Sequence, residues 1–439
     1  MIKPVPVDQG PLKIALLGCG TVGSQVLRLL IEFADDLTAR IGRPLELVGI
    51  AVRDVDKQPD RPGLDRQLLT DDALALVSRD DLDILIELIG GVELPRQLIL
   101  TAIEHGASVV TANKALLAAD GERLYDAAEE AGVDLYFEAA VAGAIPIIRS
   151  LRESLVGDEI LTVLGIVNGT TNYILDKMTG EGLNFASALR QAQDLGFAEA
   201  DPTADIEGYD AAAKASILAS LAFHSPVRGS EVYREGITGI EAADIRAAAD
   251  LGCVIKLLAV AQLRPDDRIS VRVHPAMVPL THPLATVGGA YNAIFVEAKE
   301  ADRLMFLGPG AGGAPTASSV VGDLVTVARN RSRGVAGPPH SVYAARELAP
   351  MGESVCRYYV RFDVTDEPGV LASAAAVFGS HRVSLQTVQQ SATKGDGTTA
   401  TLGVTTHHAL ESVVQACVRE LSENVYVHGA VHLLRIEGL

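Results

Sequence analysis

Apolar and polar positions follow two rhythms over the first 140 residues. Leu12–Leu17 is a short apolar block, read as a buried strand, and behind it Val26, Leu29, Leu30 and Phe33 recur at helical spacing. Residues 45–52 and 84–89 repeat the strand block, 94–105 the helix, Ser108–Thr111 a further strand and 125–131 part of another helix; 134–141 reads as one more strand. Strand and helix taking turns in this way predict an α/β domain with a Rossmann-like, doubly wound parallel sheet. Ligands of such sheets bind beyond the carboxyl ends of the strands. Gly90-Gly91 and Ala112-Asn113-Lys114 stand at two such ends, which makes Lys114 a candidate site lysine.

The pattern changes after residue 141. A long insertion carries Asn168-Gly-Thr-Thr-Asn172, then a carboxylate-rich turn from Glu199, then an alanine-rich helix starting near Gly208 that holds Asp210 and Lys214 one turn apart on one face. A solvated ion pair is the plain account of that spacing. Against it, Ala215, Ile217, Leu218, Leu221, Ala222 and Phe223 make the following turns almost wholly apolar, so the helix is expected to be buried. A lysine held by a carboxylate and removed from water can exchange a proton near neutral pH. Further on, Gly308-Pro-Gly310-Ala-Gly312-Gly313 precedes an apolar helix over 316–328; a return crossing beside a cofactor and a simple capping loop both fit.

Residues 331–354 are a Pro-, Gly- and Arg-rich break. Beyond it, strand 357–364, helix 366–378, strands 383–388 and 398–405, helix 409–421 and strand 425–436 give the order βαββαβ, the ferredoxin-like split motif. No catalytic set stands in this tail, so it is expected to regulate. The expected organisation is therefore a doubly wound domain at 1–140 completed by about 308–330, an inserted domain at 141–307, a linker at 331–354 and a regulatory domain at 355–439.

Gly18-Cys-Gly20-Thr21-Val22-Gly23 sits between the first strand and the first helix. That context gives the glycine pattern its meaning: Gly18 for the tight turn, Gly20 for approach of the pyrophosphate, Gly23 for helix–strand packing, with the phosphates at the helix N-terminus. After the second strand come Arg53, Asp54 and Lys57. Arg53 with Lys57 suits a ribose 2′-phosphate and so NADP, while Asp54 turned inward would suit NAD.

Composition narrows the classes. The 439 residues are 48% hydrophobic and 21% charged, with a formal charge of −19 and no Lys/Arg run, which excludes a nucleic-acid footprint. No apolar run reaches 18 residues and the N-terminus MIKPVPVDQG has no apolar signal core, so a soluble cytoplasmic protein without membrane partners is expected. Cys19, Cys253, Cys356 and Cys417 have neither disulfide nor metal spacing.

The motifs GCGTVG at 18–23, TANKALLA at 111–118, EAAVAGAIPI at 138–147, GIVNGTTNYIL at 165–175, GFAEADPTADIEGYDAAAKASILASLAF at 196–223 and GPGAGGAPTASSVVGD at 308–323 occur in one order. Over residues 12–330 the chain resembles the homoserine dehydrogenases, and from about Val355 the tail resembles an ACT domain, with Asp366-Glu-Pro-Gly-Val-Leu371 as its ligand loop. The resemblance implies interconversion of L-aspartate 4-semialdehyde and L-homoserine with NADP, NAD being possible, and threonine as effector at the tail. By position it implies Lys214 as proton donor, Lys114 as a second lysine near the nicotinamide, Glu199, Asp205 and Asp210 on the substrate, and Gly196 and Gly312 on the cofactor. It also implies a monovalent cation, expected to be sodium, at Glu138 and the backbone oxygens of Val141, Gly143 and Ile145, and a homo-oligomer, dimer or tetramer. Two alternatives stay open: another NADP-dependent reductase of a small amino-acid aldehyde, and a sensor that binds a dinucleotide without turnover.

Overall fold

The computed structural model describes residues 10–58, 64–339, 341–392 and 398–438. Residues 1–9, which carry most of the N-terminal stretch read above for a signal core, lie outside the described residues. The chain divides into two compact units: Met1–Val163, Ala213–Val232 and Asn292–Ala345 form the first, and Leu164–Ala212, Tyr233–Tyr291 and Arg346–Leu439 the second.

The first unit opens with β1 (Leu12–Leu17), α1 (Thr21–Glu32), α2 (Ala34–Ile41), β2 (Leu45–Ala51), β3 (Leu69–Thr70), α3 (Ala73–Val77), β4 (Ile84–Glu87), α4 (Glu93–Glu104), β5 (Ser108–Thr111), α5 (Lys114–Ala131) and β6 (Leu135–Tyr136). Its strands hydrogen-bond in the order β3-β2-β1-β4-β5-β6, all parallel. The predicted doubly wound sheet is thus present, and the order reverses between β1 and β4, where such sheets open a ligand crevice.

The chain continues through β7 (Ile160–Ile166), α6 (Gly169–Gly180), α7 (Phe185–Asp194), α8 (Thr203–Ile206), α9 (Tyr209–Ala222), β8 (Tyr233–Arg234), α10 (Ala242–Asp250), β9 (Cys253–Leu263), β10 (Ile269–Pro279), β11 (Tyr291–Ala298), β12 (Asp302–Pro309) and α11 (Gly313–Arg333). α11 belongs to the first unit: Ala317, Val320, Leu324 and Val327 share one core with Leu12, Ile14, Leu16, Ile84, Ile86 and Val110. The tail adds β13 (Val355–Thr365), α12 (Val370–Ser380), β14 (Leu385–Ala392), β15 (Thr399–Thr406), β16 (Ala409–Leu410), α13 (Glu411–Ser422) and β17 (Val427–Ile436).

In the second unit the tail strands run β17-β13-β15-β14, with β13 antiparallel to both β15 and β17. The fourth strand lies beside the first, as the split motif requires. Tyr358, Val360, Phe362, Phe378, Leu402 and Leu421 fill the space beneath it. The tail is also joined to the rest of its unit, because β17 pairs in parallel with β10 at Ala276↔Arg435 and Met277↔Ile436. Buried ions reinforce that seam: Arg272 donates to Glu437 at 2.7 Å, Arg361 to Asp244 at 2.8 Å, and Arg435 to Glu235 at 2.8 Å. Burial alone would raise the Glu437 carboxyl, but the charges and hydrogen bonds of Arg272 and His274 together outweigh it and hold it at about 2.

Several boundaries differ from the sequence reading, each for a local reason. The strand expected over 134–141 stops at Tyr136: the Glu138 N–H turns to the buried Asp323 carboxylate at 2.7 Å, and Glu138–Ala140 coil into a 3₁₀ turn. The strand expected over 84–89 stops at Glu87, whose own carboxylate takes the next free N–H groups, from Ile89 and Gly90. The helix expected from Asp366 starts at Val370, because Gly369 at φ +97° turns the chain first. That expected over 409–421 begins at Glu411, since Ala409 and Leu410 are spent on pairing with β13. α11 runs on to Arg333, past the predicted start of the linker.

Candidate functional site

The fingerprint turn is built by steric necessity. Gly18 has φ +93°, and a Cβ there would come within 3.0 Å of the Leu88 carbonyl oxygen; one on Gly23 would lie 2.1 Å from the Gly18 carbonyl oxygen. Gly20 N-caps α1 without a side chain, leaving the first turn, with Thr21 and Val22, open to an anion. The loop before α11 returns to this turn: a Cβ on Gly313 would meet the Thr21 carbonyl oxygen at 2.9 Å, and Gly312 is the N-cap of α11. The loop over 308–313 thus both caps α11 and passes beside the fingerprint turn.

The ends of β4 and β5 are cross-braced. Glu87, fully buried, accepts from the Thr111 hydroxyl at 2.6 Å and from the N–H groups of Ile89 and Gly90 at 2.9 and 3.2 Å. Asn113 donates to the Gly91 carbonyl at 2.9 Å and caps α5 by accepting from the Leu116 N–H at 3.1 Å. Lys114 is the first residue of that helix. These ends open on a cavity of about 280 Å³, whose lining brings together Lys114, Lys214, Val22, Gly90, Gly143 and Gly310. Lys214 is 8% exposed, and all six apolar residues named for its helix are buried. The alternative of a solvated surface pair is therefore excluded for this lysine.

α9 carries Asp210 one turn before Lys214, and Asp210 is buried too. In the second unit Asp210 joins Asp205 through Asn168, whose amide nitrogen donates to Asp205 Oδ1 at 2.7 Å and to Asp210 Oδ2 at 2.8 Å. The other end of the same amide caps α6, with Asn168 Oδ1 accepting from the Thr171 N–H at 2.9 Å. Glu199 is exposed, and its carbonyl accepts from the Gln193 side chain at 3.1 Å. Gly196 follows α7 with φ +76°.

Arg53 and Lys57 stand exposed after β2. Asp54 is turned onto its own loop: it accepts from the N–H groups of Asp56 and Lys57 at 3.1 and 3.2 Å and pairs with Lys57 Nζ at 2.7 Å, which holds its carboxyl below the ordinary value. Of these three side chains, this arrangement commits Asp54 and Lys57 to each other.

The loop over 138–145 is buried and sharply bent, with Ala142 and Gly143 both at φ +56°. Both Glu138 oxygens accept backbone N–H groups, from Ile148 at 2.8 Å and Arg149 at 2.9 Å, and the Ile145 carbonyl accepts from Ile147 at 2.9 Å. Burial pushes the Glu138 carboxyl up to about 7 against those N–H groups. Each of these oxygens keeps a second lone pair, so the loop fits an oxygen-ligated monovalent cation.

Three structural residues carry no local signal in the sequence. Glu87 reads as part of an apolar run. Asn168 lies in a quoted motif, but its partners are 37 and 42 residues away. Lys256 lies within β9, 3% exposed, donating to Asn172 Oδ1 at 3.0 Å and to the Val287 carbonyl at 2.6 Å. All four cysteines are buried and free.

Residues 146–325 match the family model described as homoserine dehydrogenase, and residues 18–138 match that of its NAD-binding domain. The homoserine dehydrogenase of Mycobacterium tuberculosis (strain ATCC 25618 / H37Rv) is 54% identical over 441 residues, covering 99% of both chains. Among solved structures, a homoserine dehydrogenase from Thiobacillus denitrificans superposes with a TM-score of 0.91 at 39% identity, over 98% of this chain and 99% of that one. A hyperthermophilic archaeal homoserine dehydrogenase in complex with NADPH does so with a TM-score of 0.58 at 27% identity, over 72% of this chain and 97% of that one.

Proposed function

The chain belongs to the homoserine dehydrogenase family of oxidoreductases, and from that premise we propose the particulars of its reaction: reversible reduction of L-aspartate 4-semialdehyde to L-homoserine with NADP. The observation that carries this reading is the cavity in which Lys114 and Lys214 meet the fingerprint turn and the loop before α11. A bound NADPH supplies the hydride. Lys214 delivers the proton to the aldehyde oxygen, and Lys114 orients that oxygen and favours the developing negative charge. Asp210 fixes the geometry of the Lys214 ammonium and, together with Glu199 and Asp205, holds the substrate's α-amino group by charge-assisted bonds.

NADP rather than NAD is proposed because Arg53 is exposed beyond β2 while Asp54 is engaged by Lys57; the NADPH complex of the archaeal relative is consistent with it. Gly18, Gly20, Thr21, Val22, Gly23, Gly196 and Gly312 complete the proposed cofactor contacts. Glu138 and the carbonyls of Val141, Gly143 and Ile145 would hold a sodium ion that braces the loop. The tail, by its strand order and the Asp366-Glu-Pro-Gly369 loop, supports an ACT-type regulatory role with threonine as effector, and the working form is a homo-oligomer in the cytoplasm. The direct test follows NADPH absorbance with homoserine at alkaline pH. Turnover with homoserine and none with other amino alcohols supports the assignment; absence of turnover returns the protein to the sensor alternative.

A further inference from the structure

An asparagine at a helix N-terminus needs no explanation beyond capping, and Ser, Thr or Asp would cap α6 as well. Capping uses only the amide oxygen. At Asn168 the hydrogen bond from the Thr171 N–H fixes which end of the amide is oxygen, and the other end is left with two N–H groups. Both are spent on carboxylates, one on Asp205 and one on Asp210. Asn168 and Asp210 are buried, and Asp205 is half-buried. Two carboxylates this close to one donor nitrogen repel each other in such surroundings, and hydrogen bonds to the shared donor offset that repulsion. A neutral donor does that without cancelling their charge, so the pair keeps its attraction for a cation. Serine and threonine offer a single donor, and aspartate offers none when ionised.

We propose that Asn168 is a positioning residue that clamps Asp205 and Asp210 into one fixed anionic receptor for the substrate's ammonium group. The inference rests on the reading above in which these two carboxylates serve the substrate. Three variants separate the clamp from the cap. Asn168→Asp keeps the cap, replaces both donors by an acceptor and adds a third negative charge. Its KM for homoserine is expected to rise about 10- to 100-fold at pH 8.5, as expected for losing charge-assisted bonds of about 1.5–3 kcal/mol, with KM for NADP unchanged. Three adjoining carboxylates retain a proton above the ordinary range. The KM of this variant is therefore expected to fall back toward wild type as the pH is lowered to 6.

Asn168→Ser also keeps the cap but cannot span both carboxylates; it should raise KM for homoserine several-fold with no recovery at low pH, and it serves if the aspartate variant does not fold. A homoserine KM and pH profile equal to wild type in either folded variant would overturn the clamp and leave Asn168 a cap. Asp205→Asn, assayed in parallel, reports on the premise: an unchanged homoserine KM there overturns the carboxylate assignment itself, whatever the Asn168 variants do.

Discussion

Lys214→Ala is expected to lose about 10²–10⁴-fold in kcat, the usual contribution of a positioned general acid. The KM for NADP should stay near wild type, because the lysine acts on the substrate oxygen; steady-state kinetics with both substrates varied checks this, and activity within about threefold of wild type would hand the proton to another group. Arg53→Ala is expected to weaken NADP far more than NAD, since only NADP carries the 2′-phosphate that a guanidinium grips. Equal losses for both cofactors would locate the preference elsewhere. At this scale, legibility followed chemical locality. Asp210 and Lys214 were found because one helical turn joins them, and the burial of Lys214 followed from its apolar neighbours. Glu87 and Asn168 are not legible as organisers because the partners that make them so, Thr111 for Glu87 and Asp205 and Asp210 for Asn168, lie more than 20 residues away in sequence, and nothing local marks a buried carboxylate or amide as a hub.

Elements were legible where period and punctuation agreed. The glycine fingerprint between an apolar block and a helical repeat left one solution, and Ser108–Thr111 is a strand as predicted. The run 134–141 reads as a strand beyond Tyr136 because burial alone does not separate a strand from a turn packed in the interior. Gly23→Val tests the fingerprint: with a Cβ placed 2.1 Å from the Gly18 oxygen, α1 must move off β1. The cost is about 1–3 kcal/mol of stability together with dinucleotide binding, read by thermal melts with and without NADP. Lys256 gives a pH test within the second unit. Burial lowers it from 10.5 to about 8, so the unfolded chain binds more protons than the folded one between those values. Stability should rise as pH increases through that window by up to about 3 kcal/mol, and the full penalty stands below pH 8. Urea unfolding at pH 7.5 and pH 10 should show this gain in wild type and not in Lys256→Met.

For the molecule as a whole, the tail is built into its unit. Its strand order was legible, being a sequence of local periods, whereas its pairing with β10 and its ion pairs were not, because each joins residues more than 100 positions apart. Removing everything after Ser354 would strip Arg272 and Asp244 of buried partners. Such losses cost about 3–5 kcal/mol for each pair broken from one side. Truncation is therefore expected to lower the melting temperature sharply. A chain that melts like the full length would show that these ions contribute little.

The same seam constrains how the protein can change over generations. Glu235, Asp244 and Arg272 lie on one side of residue 346, and their partners Arg435, Arg361 and Glu437 lie on the other. A tail of different ancestry grafted at this boundary would strand three charges unless it brought the matching arginines and glutamate at those strand positions. Recombination there should be tolerated between close relatives and rejected between distant ones, and substitutions on the two sides should arise in step.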